Sequence, residues 1–119
     1  MTDAKSLTGG CHCGAIRFEA AADLAQVIAC NCSICMKRGA MWTFLPAAQV
    51  TFLKGEHAVQ DYQFAAKKLH HMFCPTCGVG SFSRGRGPDG KETIAINVRC
   101  LDDIDMTALK ATPFDGKSL

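Results

Sequence analysis

Cys11-His12-Cys13-Gly14 runs straight into Ala15-Ile16-Arg17-Phe18-Glu19-Ala20, and Cys74-Pro75-Thr76-Cys77-Gly78 runs into Val79-Gly80-Ser81-Phe82-Ser83. Each unit is a cysteine pair closed by glycine and followed by a segment of partly alternating polarity, the signature of a strand. In such a knuckle, backbone amides can turn toward thiolate sulfurs. Glycine after the second cysteine permits the positive φ that the turn often needs. Further short segments bounded by Gly, Pro, Asn or Asp lie outward from these two: Ala25 to Ala29, Met41 to Leu45, Val50 to Leu53, Val59 to Phe64, Lys68 to Phe73 and Thr93 to Val98. Helical periodicity is confined to possible turns at Ser33 to Arg38 and at Ile104 to Lys110, where Asp103 or Asp105 is placed to cap the start. The expected class is mainly β, in one small domain over residues 1–119. The stretch Arg84-Gly85-Arg86-Gly87-Pro88-Asp89-Gly90 reads as a loop between two strands.

Thirteen basic and 11 acidic side chains leave a formal charge of +2, which gives no footing for nucleic acid or an anionic membrane surface. The N-terminal residues show no apolar run behind a basic start, so no secretory signal is read and a cytoplasmic location is expected. The most apolar later stretch, Ala40 to Ala48, is interrupted by Thr43 and Pro46 and falls far short of the roughly 20 residues a spanning helix needs.

Eight cysteines in 119 residues are the anomaly. In a reducing compartment clustered cysteines are metal ligands or catalytic groups more often than disulfides. Structural zinc is almost always held by four protein ligands, whereas catalytic zinc usually has three and an open position. Cys11 and Cys13 with Cys74 and Cys77 sum to four and would staple two chain segments roughly sixty residues apart. Cys30-Asn31-Cys32-Ser33-Ile34-Cys35 offers three more thiols. Cys30 and Cys32 face one side of an extended segment, and a turn through Ser33 and Ile34 brings Cys35 round to them. Two zinc ions are therefore expected, one structural and one catalytic and more labile. Cys100 ends the apolar strand Ile94 to Val98. It is either a fourth ligand that closes the triad or a buried small hydrophobe, the commoner fate of a lone cysteine in a strand.

Three thiolates leave zinc at net −1, a weaker activator of water than zinc held by neutral histidines. Such a centre is matched to a fourth sulfur and would ionise a substrate thiol whose ordinary pKa is about 8.5. The chemistry indicated is the making or breaking of a carbon–sulfur bond. Other residues carry two readings each. Lys37 and Arg38 either offset the triad's charge or hold a substrate carboxylate, or else sit in a solvated turn. His70 and His71 alternate on a strand, so at most one reaches a given site as acid or base. Arg84 and Arg86 either meet an anionic substrate or are surface arginines. Trp42, Phe44 and Phe73 either fill the core or, just after the triad, line its pocket.

Taken together, Gly10 to Gly14, Cys30 to Cys35, Phe73 to Gly78 and Asn97-Val98-Arg99-Cys100-Leu101-Asp102 resemble the glutathione-dependent formaldehyde-activating enzyme family, which includes centromere protein V. The motifs span residues 7–103. The resemblance implies a fold of several coiled antiparallel β-sheets around zinc. It also implies a structural metal on Cys11, Cys13, Cys74 and Cys77 and a catalytic one on Cys30, Cys32 and Cys35. The implied activity is that of a carbon–sulfur lyase (S-hydroxymethylglutathione synthase-like), with glutathione or a similar thiol and formaldehyde or another small aldehyde as substrates. Many members have His between the first two triad cysteines, where this chain has Asn31; a middle residue points away from the metal. The chain is also shorter than the name-giving enzyme. Two other classes fit the same motifs: a non-catalytic, zinc-stabilised interaction module and a thiol-based redox or metal sensor.

Overall fold

The computed structural model describes residues 5–64 and 69–118. Ten strands are formed among them: β1 (Lys5–Gly10), β2 (Arg17–Ala22), β3 (Val27–Cys30), β4 (Trp42–Pro46), β5 (Val50–Lys54), β6 (Gln60–Tyr62), β7 (His70–Phe73), β8 (Phe82–Arg86), β9 (Glu92–Asn97) and β10 (Ala111–Phe114). One α-helix, α1 (Ser33–Arg38), follows β3. The strands make a three-stranded sheet in the order β1-β2-β5 and a seven-stranded sheet in the order β10-β3-β4-β9-β8-β7-β6. The mainly β expectation holds. Pairing is antiparallel except between β10 and β3, which run parallel.

The period-2 pattern that marked β2 becomes burial: Phe18, Ala20 and Ala22 face inward while Glu19 faces solvent. β9 lies between β4 and β8, and Ile94, Ala95, Ile96 and Asn97 are all buried, as a strand covered on both faces requires. The two sheets meet over an aromatic trio. Phe18 of β2 lies 6.1 Å from Phe52 of β5 and 6.5 Å from Phe82 of β8, with edge-on geometry, and Phe52 and Phe82 are 4.8 Å apart. Ile16, Phe18 and Phe82 are fully buried, and Ile94, Ile96, Val27 and Val98 complete the centre.

Several expected boundaries move. Lys5–Gly10 and Ala111–Phe114 become strands although neither has an alternating apolar face, because each completes a neighbour's hydrogen bonds. The strand expected from Val79 begins at Phe82 and runs through Arg86, so Arg84 and Arg86 belong to a strand rather than the expected loop. The true turn is Gly87 to Gly90, where the Gly90 amide donates to the Gly87 carbonyl. The expected helical turn at Ile104 to Lys110 shrinks to a 3-10 turn, Met106–Ala108, with the Asp105 carboxylate accepting from the Thr107 amide. Lys68, the expected start of one strand, lies outside the described residues. Among the described residues no helix is long and apolar enough to cross a membrane.

Phe82→Ala removes a ring that touches both sheets and is expected to cost about 3–5 kcal/mol. A shifted urea midpoint with an unchanged m-value would measure it.

Candidate metal centres and an apolar cleft

The two knuckles fold alike. The Cys11 amide donates to the Ile16 carbonyl at 3.2 Å, and the Cys74 amide donates to the Val79 carbonyl at 3.0 Å, each closing a loop over five positions. Gly14 and Gly78 hold φ of 84° and 80°, as the turn reading anticipated. The Ile16 amide points at Cys11 Sγ (3.4 Å) and the Cys77 amide at Cys74 Sγ (3.5 Å). Cys13 Sγ stands 3.7 Å from Cys11 Sγ and 3.6 Å from Cys74 Sγ, and all four sulfurs lie within 4.8 Å of one another. A tetrahedron of Zn–S bonds of about 2.3 Å has edges of about 3.8 Å, so the donor set fits such an ion.

The electrostatics of this cluster favour thiolates at one knuckle. Amide hydrogen bonds, the Val79 amide foremost, bring Cys77 down to about 6, and the Cys77 and Thr76 amides lower Cys74. At Cys13 the Ala15 amide acts in the same direction, but sharing with Cys74, Cys11 and Cys77 outweighs it and takes the thiol up to about 11. Four sulfurs this close repel once ionised, and a dication offsets that repulsion.

The second cluster lies where β3 passes into α1. Cys30 ends the strand, Cys32 takes the N-cap position and Cys35 lies inside the helix, whose first hydrogen bond runs from the Met36 amide to the Cys32 carbonyl. This is the expected turn. Cys32 and Cys35 sulfurs are 3.1 Å apart, and the three sulfurs fall within 4.8 Å of one another. Burial raises Cys35 to about 12, with the Cys32 contact adding to it and the Trp42 indole opposing it. Trp42 Nε1 donates to Cys35 Sγ at 3.2 Å. Among the described residues no fourth Cys, His, Asp or Glu donor joins this group. Cys100 lies elsewhere: burial pushes its thiol up to about 11, and the charges that reach it are those of Cys11 and Cys77.

The C-terminal segment reaches the triad, which no sequence pattern announced. The Asn31 amide nitrogen donates to Asp115, its carbonyl oxygen accepts from the Lys117 amide, and the Asn31 backbone amide donates to the Phe114 carbonyl. Asn31 is exposed and faces the tail, in keeping with a middle residue that points away from the sulfurs. Gly116 approaches so closely that a Cβ there would lie 2.5 Å from Cys30 Sγ.

The triad sulfurs open on a cleft of about 910 Å³ lined chiefly by apolar side chains. Trp42, Phe44, Leu45, Ile34, Phe64 and Phe114 contribute to its walls. Trp42 is buried, but Phe44 is half-exposed at the mouth, so it lines the pocket rather than filling the core. Phe73 is partly buried on β7 and does not line it. His71 is buried in the cleft and stacked on Phe64 at 5.4 Å. His70 points the other way, 2.6 Å from Asp61. The alternation allows at most one of the two histidines at a given site; the sheet register turns His71 into the cleft. Arg38 is half-buried, close enough to Cys35 and His71 to act on both electrostatically, while Lys37 is exposed. Arg84 is committed elsewhere: it pairs with Glu56 and Glu92 at 2.8 Å each and lies over the Phe52 and Phe82 rings. Arg86 donates to the Gly90 carbonyl and stays exposed.

A mainly β domain with one four-thiol and one three-thiol cluster, each able to hold a metal ion, is the class defined by this fold and site. The family model of the glutathione-dependent formaldehyde-activating enzyme matches residues 6–114, and the chain belongs to that family. Its fold is similar to the crystal structure of a Rhodobacter sphaeroides protein, a structural-genomics target, with a TM-score of 0.76 and 28% identity over 90% of this chain and 98% of that one.

Asn31→Ala deletes both side-chain bonds that hold the tail. Faster amide exchange across residues 111–118, with the β8 and β9 amides unchanged, is the expected outcome by hydrogen-exchange mass spectrometry.

Proposed function

We propose that this protein is a zinc-dependent carbon–sulfur lyase in which Cys11, Cys13, Cys74 and Cys77 hold a structural ion and Cys30, Cys32 and Cys35 a catalytic one. Its reaction adds a thiol, glutathione or similar, to a small aldehyde such as formaldehyde, or releases it. The reading is supported by three thiols that line an apolar cleft and have no fourth donor among the described residues, together with family membership. Zinc held by three thiolates supplies a soft Lewis acid that favours the thiolate form of a substrate thiol.

The chain's own residues do the rest. Trp42 fixes the Cys35 sulfur by its indole N–H, and Arg38 places a cation beside a cluster that is negative when ionised. Apolar walls limit the access of water, so a thiolate beside them is less solvated and keeps its nucleophilicity. In the addition the thiolate sulfur attacks the carbonyl carbon. A C–S bond forms, the C=O π pair moves to oxygen, and that oxygen takes one proton, giving a hemithioacetal. The reverse breaks the same bond. A cytoplasmic setting, with its abundant thiols, fits this chemistry.

Two experiments check the proposal. Exchange NMR with the zinc-loaded protein is expected to show faster interconversion of thiol, aldehyde and adduct than in buffer; no acceleration with any of several thiols and aldehydes would sink it. Native mass spectrometry is expected to find two zinc ions in the wild type and one in Cys35→Ser, which keeps its fold. Cys74→Ser is expected to lose the fold together with the first ion.

A further inference from the structure

One transverse row of the large sheet runs Phe44, Ala95, Ser83, His71. These residues are cross-strand partners on β4, β9, β8 and β7, and all four line the cleft that ends at the triad. The next row, Pro46, Thr93, Gly85, lines it too. Small side chains at Ala95, Ser83 and Gly85 make a trough between Phe44 on one side and His71 with Phe64 on the other.

Two polar atoms interrupt this apolar floor. Ser83 is 6% exposed and His71 is 7% exposed, and among the described residues neither Ser83 Oγ nor His71 Nδ1, both shielded from solvent, has a hydrogen-bond partner. Buried polar groups are almost always paired, and leaving one unpaired costs stability. His71 and Ser83 are cross-strand partners in the lining of the cleft that also holds the triad, so a ligand oxygen there could pair with both. Burial, and then the Arg38 charge, lower the His71 pKa, so near neutrality the imidazole is uncharged and offers hydrogen bonds without demanding an anion.

Charge argues the same way. A glutathione-like tripeptide carries two carboxylates and an ammonium group. Arg84 is already held by two glutamates, and the exposed Arg86 lies at the edge of the cleft. Besides Thr93 in the second row and the exposed Arg86, the polar groups of the trough are the Ser83 hydroxyl and the neutral His71 imidazole, which suit a single hydroxyl or carbonyl oxygen on a hydrocarbon body.

We propose that the cleft binds a neutral, apolar ligand through one oxygen held between Ser83 Oγ and His71 Nδ1, its hydrocarbon lying along Phe44 and Phe64. On the lyase reading above, on which this naming of the substrate rests, the ligand is the hemithioacetal of a small uncharged thiol, rather than glutathione, with an aryl or branched alkyl aldehyde, and the held oxygen is the hydroxyl formed from the aldehyde's carbonyl.

Binding to the zinc-loaded protein separates the two ideas, with benzyl alcohol as the oxygen-bearing probe, toluene as the same body without oxygen and S-methylglutathione as the tripeptide probe. Titrations followed by NMR at the indole N–H of Trp42, the chain's single tryptophan and part of the cleft wall, give each affinity in the wild type and in every variant. Ser83→Ala is expected to weaken benzyl alcohol about threefold to tenfold and to leave toluene unchanged, while its melting temperature holds or rises because a buried unpaired hydroxyl is gone. His71→Phe is expected to show the same selective loss, and Ser83→Thr, which keeps a hydroxyl, to retain the affinity. Equal effects on benzyl alcohol and toluene overturn the proposal, as does tighter binding of S-methylglutathione than of benzyl alcohol. Selective loss in Ser83→Ala, combined with no accelerated exchange for any thiol and aldehyde, leaves the oxygen subsite standing and overturns the lyase reading alone.

Discussion

Four thiols drawn within 4.8 Å of one another from two places 61 positions apart are the constraint on which the remainder of the molecule rests. Cys11 closes β1 onto the turn that leads to β2, and Cys74 closes β7 onto the turn that leads toward β8. Joining them fixes one end of the small sheet against one end of the large one. Sulfurs so close cannot all carry charge in isolation, and the amides turned toward Cys11 and Cys74 offset only part of that repulsion. The four thiols could hold one metal ion, and a dication shared among them would offset that repulsion; closing a loop of this length by one site is where such a tie contributes most.

The aromatic trio of Phe18, Phe52 and Phe82 carries that tie into the core. Phe82 is buried on the trio's side of β8, while Ser83, the next residue, is turned to the opposite face and lines the cleft. A single strand thus separates the packed core from the cleft, and the alternation that makes one face dense leaves the other free to be shaped by small side chains. Rigidity in the core and space in the cleft have the same origin.

The second cluster differs from the first in how local it is. Its three thiols come from one short segment, a strand end and the first turn of a helix, so its geometry depends less on distant chain. What the fold adds is enclosure. Trp42 reaches Cys35, Asn31 holds the C-terminal segment, and Gly116 lies against Cys30 where no side chain would fit. One side of this sulfur cluster thus lies on an apolar cleft, while the indole and the C-terminal segment lie against the others.

The sequence by itself determined what depends on covalent spacing and local turn geometry. It placed both knuckles with their glycines, the grouping of cysteines into four and three, the turn that gathers Cys35 to Cys30 and Cys32, and the alternating strand at β2. Backbone preferences over a few residues suffice for these. Only the tertiary structure decided which of His70 and His71 enters the cleft, because strand alternation shows that they oppose each other and only pairing register shows which way each faces. It moved Arg84 from a loop to a strand flanked by Glu56 and Glu92, because ion pairs formed across the fold leave no local pattern. The edge strands β1 and β10 form where neighbouring backbone asks for a partner, a demand made by another part of the chain. Ser83 carries no signal of its own: the serine became a candidate binding group only when the sheet set it beside His71 and left both without hydrogen-bond partners among the described residues.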